Sequence, residues 1–454
     1  MVSADNLNFD VLEIIFSFLA VPDLASVSQV SRSFLAGVIP RLYRSLPFYY
    51  TQAKRYPNIM SPFAAVIAHP GLTKHVRSID IRVVPNLRVK LKTLPDPRFL
   101  RDCIAALSAS ASLRSFTCTI ANVIPPLLHC LQGMERLQSL RIHAVLTPDQ
   151  TAKLVKLRGI RHLTLENPSW SVVDALPNWA EAMQSTLTHV TIYMSHDMNN
   201  TILKRTVAHL PKLRGLHIVG CQHVSYIDVL NATEHTPLLE TLAFTTSDIS
   251  NSPLPSINLT ELKHLALDLS PACIPSLTAT PTSPPALLPA IMALTRFTHL
   301  TSLALRLPSK QLLPDSTIEE IIDLHGTTLR SLRLMGCAVS IEGVESIADE
   351  CERLERLVIS IPVSEIDEFA SSLASSVTLH TLIDHHDHGT HGPRLSLTTE
   401  PVRMLMEEVP SLTRVVSDSR CWTGHHGESH TGVKLERMKN SRGKNLWFTP
   451  PPEV

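Results

Sequence analysis

The chain has no surplus of either charge: 41 Lys and Arg residues stand against 41 Asp and Glu. Without a basic excess, the electrostatic drive toward nucleic acid or an anionic membrane is missing. A protein or small-ligand partner fits better. No CxxC pair occurs either, and the eight cysteines, Cys103, Cys118, Cys130, Cys221, Cys273, Cys337, Cys351 and Cys421, form no dense framework. That pattern points to reduced thiols in cytosol or nucleus. Long apolar runs are also lacking. The greasiest stretch, FDVLEIIFSFLAVPDL from Phe9, is interrupted by Glu13 and closed by Pro22-Asp23, short of the ~20 apolar residues that cross a bilayer. Asp5 and Asp10 stand where a secretion signal carries basic residues. Glycine is scarce, 15 of 454 residues against 44% hydrophobic residues, which is the composition of a folded chain with a substantial core.

What the chain does have is a repeat. The apolar template L-x-x-L-x-L, with Val, Ile or Phe substitutions, recurs as VRSIDI from Val76, LRSFTC from Leu113, LQSLRI from Leu137, IRHLTL from Ile160 and LTHVTI from Leu187. It continues as LRGLHI from Leu213, LETLAF from Leu239, LKHLAL from Leu262, LTSLAL from Leu300, LRSLRL from Leu329 and LERLVI from Leu354, with degraded copies at Leu379 and Leu412. Most starts are ~23–29 residues apart, the spacing of leucine-rich repeats. The last two apolar positions lie two apart, so a strand turns both inward and its intervening residues outward. The segments between read as helices: Leu100, Cys103, Ile104 and Leu107 share one face, as do Ile341, Val344, Ile347, Ala348 and Cys351. Each strand-helix unit needs neighbours to cover its apolar side, which predicts an α/β fold with a curved leucine-rich-repeat solenoid over 76–420. A small residue or Cys follows the strand at Ser195, Cys221, Ser247, Ser270 and Cys337, the turn position of such repeats, so these thiols read as small packing groups. Prolines mark an exposed insertion at 271–289, where Thr280-Pro281 and Ser283-Pro284 are conceivable phosphate acceptors. A second insertion, VVPNLRVKLKTLPDP, interrupts the first repeats.

The N-terminal stretch follows a different pattern. Val11, Ile15, Phe18 and Leu19 fall on one helical face that Leu12 and Phe16 widen beyond what one short helix can bury. Pro22-Asp23 starts a second helix, with Asp23 as its N-cap and Leu24, Val27, Val30 and Phe34 at compatible spacing. This segment resembles the F-box: Leu7, Asp10, Val11, Ile15 and Leu19 match its first half, and Asp23, Leu24, Val30, Arg32 and Phe34 its second. Asn8, Ser31 and Phe34 stand where the family usually has Pro, Cys and Trp, and RLYRSL from Arg41 looks like the tail beyond the motif. The resemblance implies a non-enzymatic adaptor of cytoplasm or nucleus, without cofactor. It would dock on a Skp-family linker, and through it on a cullin and a RING subunit, while the repeats present a protein substrate for ubiquitination. The linker-binding set it implies is Leu7, Val11, Ile15, Leu19, Leu24, Val27, Val30 and Phe34. The expected organisation is an F-box over 1–48, a helical linker over 49–75, the solenoid, and a C-terminal cap or tail over 421–454.

Two further readings come from the residues themselves. Outward positions of the templates form columns carrying Arg141, His143, His162, Glu166, His189, Tyr193, His217, His264, Asp268, Arg306, Arg333 and Arg356, a mixed, somewhat basic surface. Tyr and Arg are enriched at interface hot spots, so this face is the expected substrate surface, centred near an exposed Tyr193 and suited to an acidic or phosphorylated segment. The alternatives are a ligase-independent scaffold and a metal-dependent hydrolase built on DHHDHGTHG, residues 384–392. That loop has ligand-competent His385, His386, His388 and His391, joined by Cys421, His425, His426 and His430 if the last segments converge. It lacks the H-x-H-x-D-H order of metallo-hydrolases, so no metal is expected.

Overall fold

A computed structural model of the chain describes residues 8–19, 21–89, 92–246, 255, 257, 259–269, 288, 292, 295–296, 298–385, 397–418, 420–426, 433–439 and 446–450. Two compact units divide it, Met1–Met198 and Asn199–Val454. Among the described residues no helix is long and apolar enough to cross a membrane.

The first unit opens with three short helices, α1 (Phe9–Phe16), α2 (Val21–Val27) and α3 (Arg32–Leu42). Strands follow: β1 (Ser45–Phe48), β2 (Ser78–Ile81), β5 (Ser115–Cys118), β6 (Ser139–His143), β7 (His162–Glu166) and β8 (His189–Tyr193). Each pairs in parallel with the next in the chain, and the templates stay in phase. Ile79, Phe116, Leu140, Leu163 and Val190 lie opposite one another, all buried. Between strands the chain returns through helices such as Pro62–Ala68, Pro97–Ala109 and Ile124–Leu131, each packed on the next. One feature departs from the sequence reading and another fills it in. The repeat begins one copy earlier than Val76, because Leu46 and Phe48 of β1 turn inward beside Ile79 and Ile81; the stretch resembling an F-box tail is therefore the approach to a strand. The interruption after β2 is an antiparallel hairpin, β3 (Asn86–Val89) with β4 (Lys92–Pro95).

The second unit repeats the plan with β9 (Gly215–Val219), β10 (Thr241–Thr245), β11 (His264–Asp268), β12 (Ser302–Leu312), β13 (Ser331–Ala338), β14 (Arg356–Ile359), β15 (Thr381–Asp384) and β16 (Arg414–Ser417). All pair in parallel, and Leu216, Leu242, Leu265, Leu303, Leu332, Leu357, Leu382 and Val415 form one continuous inward row. The helices Asp315–His325, Ile341–Glu350, Ile366–Ser372 and Thr399–Glu408 pack in succession. The segment expected as a cap or tail contains an antiparallel extension, β17 (Arg420–His426) on β16 and β18 (Val433–Lys439) on β17.

One periodic device escaped the template. Asn167, Met194, Gly220 and Gly336 each sit seven residues after the first apolar position of their repeat, and each adopts a positive φ, between 47° and 77°. After β7, β8 and β9 the chain leaves the strand through this left-handed residue, which glycine adopts freely and other residues adopt at a cost, whereas Gly336 lies within β13, where the pairing with β12 shifts register. At Gly336 space is short as well, since a Cβ would stand 2.3 Å from the carbonyl oxygen of Leu307.

Two predictions follow from this packing. Gly336→Ala combines a strained φ with a backbone collision and should destabilise the fold by ~2 kcal/mol or more; chemical denaturation of the two proteins measures it, and an unchanged midpoint contradicts this backbone geometry. The other concerns His325, buried with Nε2 2.9 Å from Thr295 Oγ1 and with its pKa pushed down to about 4 by burial. The unfolded chain takes up this proton near pH 6.5 and the folded chain does not, so the stability present above pH 6.5 is lost as pH falls toward 4. The melting temperature should drop across that window, and His325→Gln should flatten the drop.

Candidate functional site

The N-terminal helices close a small core of their own. Leu12 and Phe16 of α1 meet Leu24 of α2 and Val38 of α3, all buried, while Leu19, Val27, Phe34 and Leu42 pack around them half-buried. Phe16 and Phe34 meet edge to face, centroids 5.5 Å apart. Gly37 makes this possible, because a Cβ there would sit 2.9 Å from the Phe16 ring. Ser31, in the place of the family's usual cysteine, caps α3 by accepting a hydrogen bond from the Phe34 amide at 3.2 Å.

With Leu12 and Phe16 inward, the other face of α1 is left uncovered. Val11, Ile14 and Ile15 are exposed along the helix, and Phe18, in the turn that follows, is 84% exposed. Val30 at 67% and Leu35 are exposed nearby in sequence. The sequence reading had the two faces of α1 reversed in emphasis: it took Leu12 and Phe16 as a widening of the open face, whereas they are its core. Of the implied linker-binding set, Val11, Ile15 and Val30 are open, Leu19, Val27 and Phe34 pack on the core, and Leu24 is within it. Leu7 lies outside the described residues. Ile14 and Leu35, outside that set, are exposed as well. α2 begins at Val21, so Asp23 sits in its first turn and not at its N-cap.

The outward columns of the strands behave differently in the two units. In the first, β2, β5, β6 and β7 leave every second residue at least partly accessible, whereas β8 buries Thr191 between His189 and Tyr193. Arg141 pairs with Glu166 across adjacent strands at 2.6 Å. His143 Nε2 lies 3.3 Å from Asn167 Nδ2, and burial lowers its pKa against the opposing pull of Glu166. The rings of His162 and His189 lie 4.6 Å apart; burial, then Arg161, lowers the pKa of His162. Tyr193 is half-buried and not the exposed aromatic that the sequence suggested. In register it stands opposite Glu166.

In the second unit β9, β10 and β11 are buried at every residue. Residues 446–450 of the chain lie against their outward face at His217 and His264. The Phe448 carbonyl lies 2.8 Å from His264 Nε2, the carbonyls of Trp447 and Thr449 accept from Arg333 at 2.6 and 3.1 Å, and the Arg306 guanidinium stands 5.8 Å from the centroid of the Trp447 ring. His217, its Nε2 3.1 Å from Thr241 Oγ1, meets the Phe448 ring edge to face, centroids 5.7 Å apart. Burial lowers the pKa of His264 to about 4, partly offset by its bond to Phe448, and that of Arg333 to about 10. Arg356 is half-buried, its pKa lowered by burial and then by Arg414. The expectation of an open face therefore fails at His217 and His264, which are buried, while Arg306 and Arg333 stay partly accessible beside this segment; the reading of single templates contained nothing about a segment arriving from so far along the chain.

Among the described residues no group of three or more His, Cys, Asp or Glu side chains is placed to hold a metal ion. Residues 386–392 of the histidine-rich loop, and the Pro-rich insertion 271–289 apart from Leu288, lie outside the described residues. Asp384 is buried and accepts from Ser417 Oγ at 2.6 Å. Cys337 is buried, its thiol pushed up to about 12 by desolvation, the state of a packing residue and not of a nucleophile.

No curated protein sequence matches the chain. Among solved structures it is similar to one described as the crystal structure of the Rad7 and Elc1 complex in yeast, with 13% identity over 86% of this chain and 90% of that chain and a TM-score of 0.43. Residues 5–36 match the F-box domain. That span holds α1, α2 and the start of α3, so the helices that close around Leu12, Phe16 and Leu24 are those of an F-box domain.

Proposed function

We propose that the chain is a substrate-recognition adaptor. Its F-box domain docks on a Skp-family linker, which brings a cullin and a RING subunit, and its repeats, read as leucine-rich, present a protein for ubiquitination. The observation that carries this reading is the uncovered row Val11, Ile14, Ile15 and Phe18 beside a core that is already closed without it. Covering a large apolar side chain is worth ~1.5–3 kcal/mol, so a partner that buries this row gains a strong anchor. In the first unit, the partly accessible columns with Arg141, His143, His162, His189 and Tyr193 are the proposed substrate contacts. Their mixture of planar rings, a paired arginine and histidines suits a polar protein surface better than a small apolar ligand.

Two experiments test this. Ile14→Asp with Phe18→Asp places carboxylates on exposed positions, so the bundle should fold, yet linker binding should fall ~100-fold or more because the charges would be buried without partners. Leu19→Asp is a poorer choice, since Leu19 packs on the core. A folded double variant that recovers the linker at wild-type yield would refute the adaptor reading. Separately, Arg141→Ala, His189→Ala and Tyr193→Ala together should leave linker recovery unchanged while proximity labelling of captured proteins drops. Unaltered capture would remove this face from the substrate site.

A further inference from the structure

The cover on the second unit's strands is built in an informative way. Residues 446–449 form a tight turn, the Thr449 amide donating to the Leu446 carbonyl at 3.0 Å. The turn drives one side chain, Phe448, into the sheet face until it is 0% exposed. In register, the row beneath runs from His217 on β9 through Ala243 on β10, Ala266 on β11 and Ala304 on β12 to Arg333 on β13. The alanines occupy outward positions yet are fully buried. The aligned positions of the first unit hold the larger polar residues Asp80, Thr117, Arg141, Thr164 and Thr191, of which all but Thr191 are at least partly accessible. Alanine is a poor strand residue, and three in adjacent strands hollow the sheet surface into a socket one ring wide. Neighbouring strands stand ~4.8 Å apart, so three such positions match the footprint of an aromatic side chain. His217 forms one wall of the socket. Around it, Arg333 and His264 hold three main-chain carbonyls of the turn.

Recognition of this kind asks little of sequence: an aromatic residue at a turn, and carbonyls on either side. The turn from the chain itself also fits incompletely. Ser302 Oγ and Ser331 Oγ, adjacent in the outward row that runs from His264 to Arg356, are buried with no hydrogen-bond partner among the described residues, as is Trp447 Nε1. Buried donors left unbonded disfavour an arrangement relative to one that bonds them. A segment that kept the aromatic and added acceptors for the two serines would fit this surface better than residues 446–450 do.

We infer that the outward face of β9–β13 is a docking site for a partner protein segment carrying an aromatic residue at a β-turn, and that residues 446–450 occupy it in the resting chain and are displaced on binding. The inference rests on the adaptor reading only in taking that partner to be a substrate. Tethering gives the chain's own turn a high effective concentration, so an incoming segment competes against it and the site selects for better-fitting turns.

The test uses the full chain and a fluorescent peptide of its own residues 445–451, NLWFTPP. Phe448→Ala should empty the socket, and this variant should bind the peptide ~10-fold or more tightly than the wild-type chain does. Adding Arg333→Ala, or replacing the peptide's phenylalanine by alanine, should abolish the gain. Equal binding by wild type and variant, or by both peptides, overturns the inference. A second measurement needs no variant: saturating peptide should speed hydrogen exchange of residues 446–450 in the wild-type chain, and unchanged exchange at saturation also overturns it. Linker recovery by Phe448→Ala is read alongside. If peptide binding behaves as expected while the linker is never recovered, the docking site stands and the adaptor reading falls. If the linker is recovered and the peptide arms fail, the reverse holds.

Discussion

In-phase parallel pairing of the templates is the constraint on which the rest depends. Side chains on a strand alternate between faces, so a slip of one residue would carry an entire apolar row into solvent. The rows Ile79 to Val190 and Leu216 to Val415 show no such slip. Fixing the inward rows also fixes the outward ones. Residues far apart in the chain, such as Ala243, Ala266 and Ala304, become immediate neighbours only because each template starts level with the last. A recognition surface can then be written by changing the same position in successive repeats, with no change to the core.

The F-box helices solve a different problem. Helices of 7 to 11 residues do not persist in water alone, so these must hold one another before they can offer anything to a partner. Leu12 and Phe16 do this through Leu24, Val38 and the gap left by Gly37. The two apolar faces of α1 then have separate duties. One is closed and makes the bundle; the other stays open to water.

The sequence made the repeat legible because its period-2 apolar pair recurs at almost every copy. It hid β1, where the preceding residues also continue a helical pattern and Pro47 breaks the look of a strand. The division of α1 was hidden for a related reason. Apolar residues occupy both of its faces, so periodicity reports a helix without saying which face is core; Gly37 and Val38, a whole helix away, decide that. Left-handed turn residues were legible in part, since Gly220 and Gly336 suggest them and Asn167 and Met194 do not. The cover over β9–β11 was the least legible feature. The bond between His264 and Phe448 joins residues 184 positions apart, and LWFTP carries no periodicity. Its only trace upstream was alanine at the fifth position of LETLAF, LKHLAL and LTSLAL.

That trace changes what burial on both faces of a strand means here. A parallel strand buried twice ordinarily has helices on either side, and both covers belong to the core. On β9, β10 and β11 the second cover includes a five-residue segment held by a buried ring, a neighbouring imidazole and guanidinium bonds to main-chain carbonyls, with no strand ladder between segment and sheet. The inward rows lose their partners only if the fold opens, whereas the outward row loses Phe448 if one turn moves. Buried surface of the first kind contributes stability common to every state of the protein; buried surface of the second kind distinguishes between states. The alanine row therefore belongs with the binding surfaces, although by exposure alone it is indistinguishable from the core.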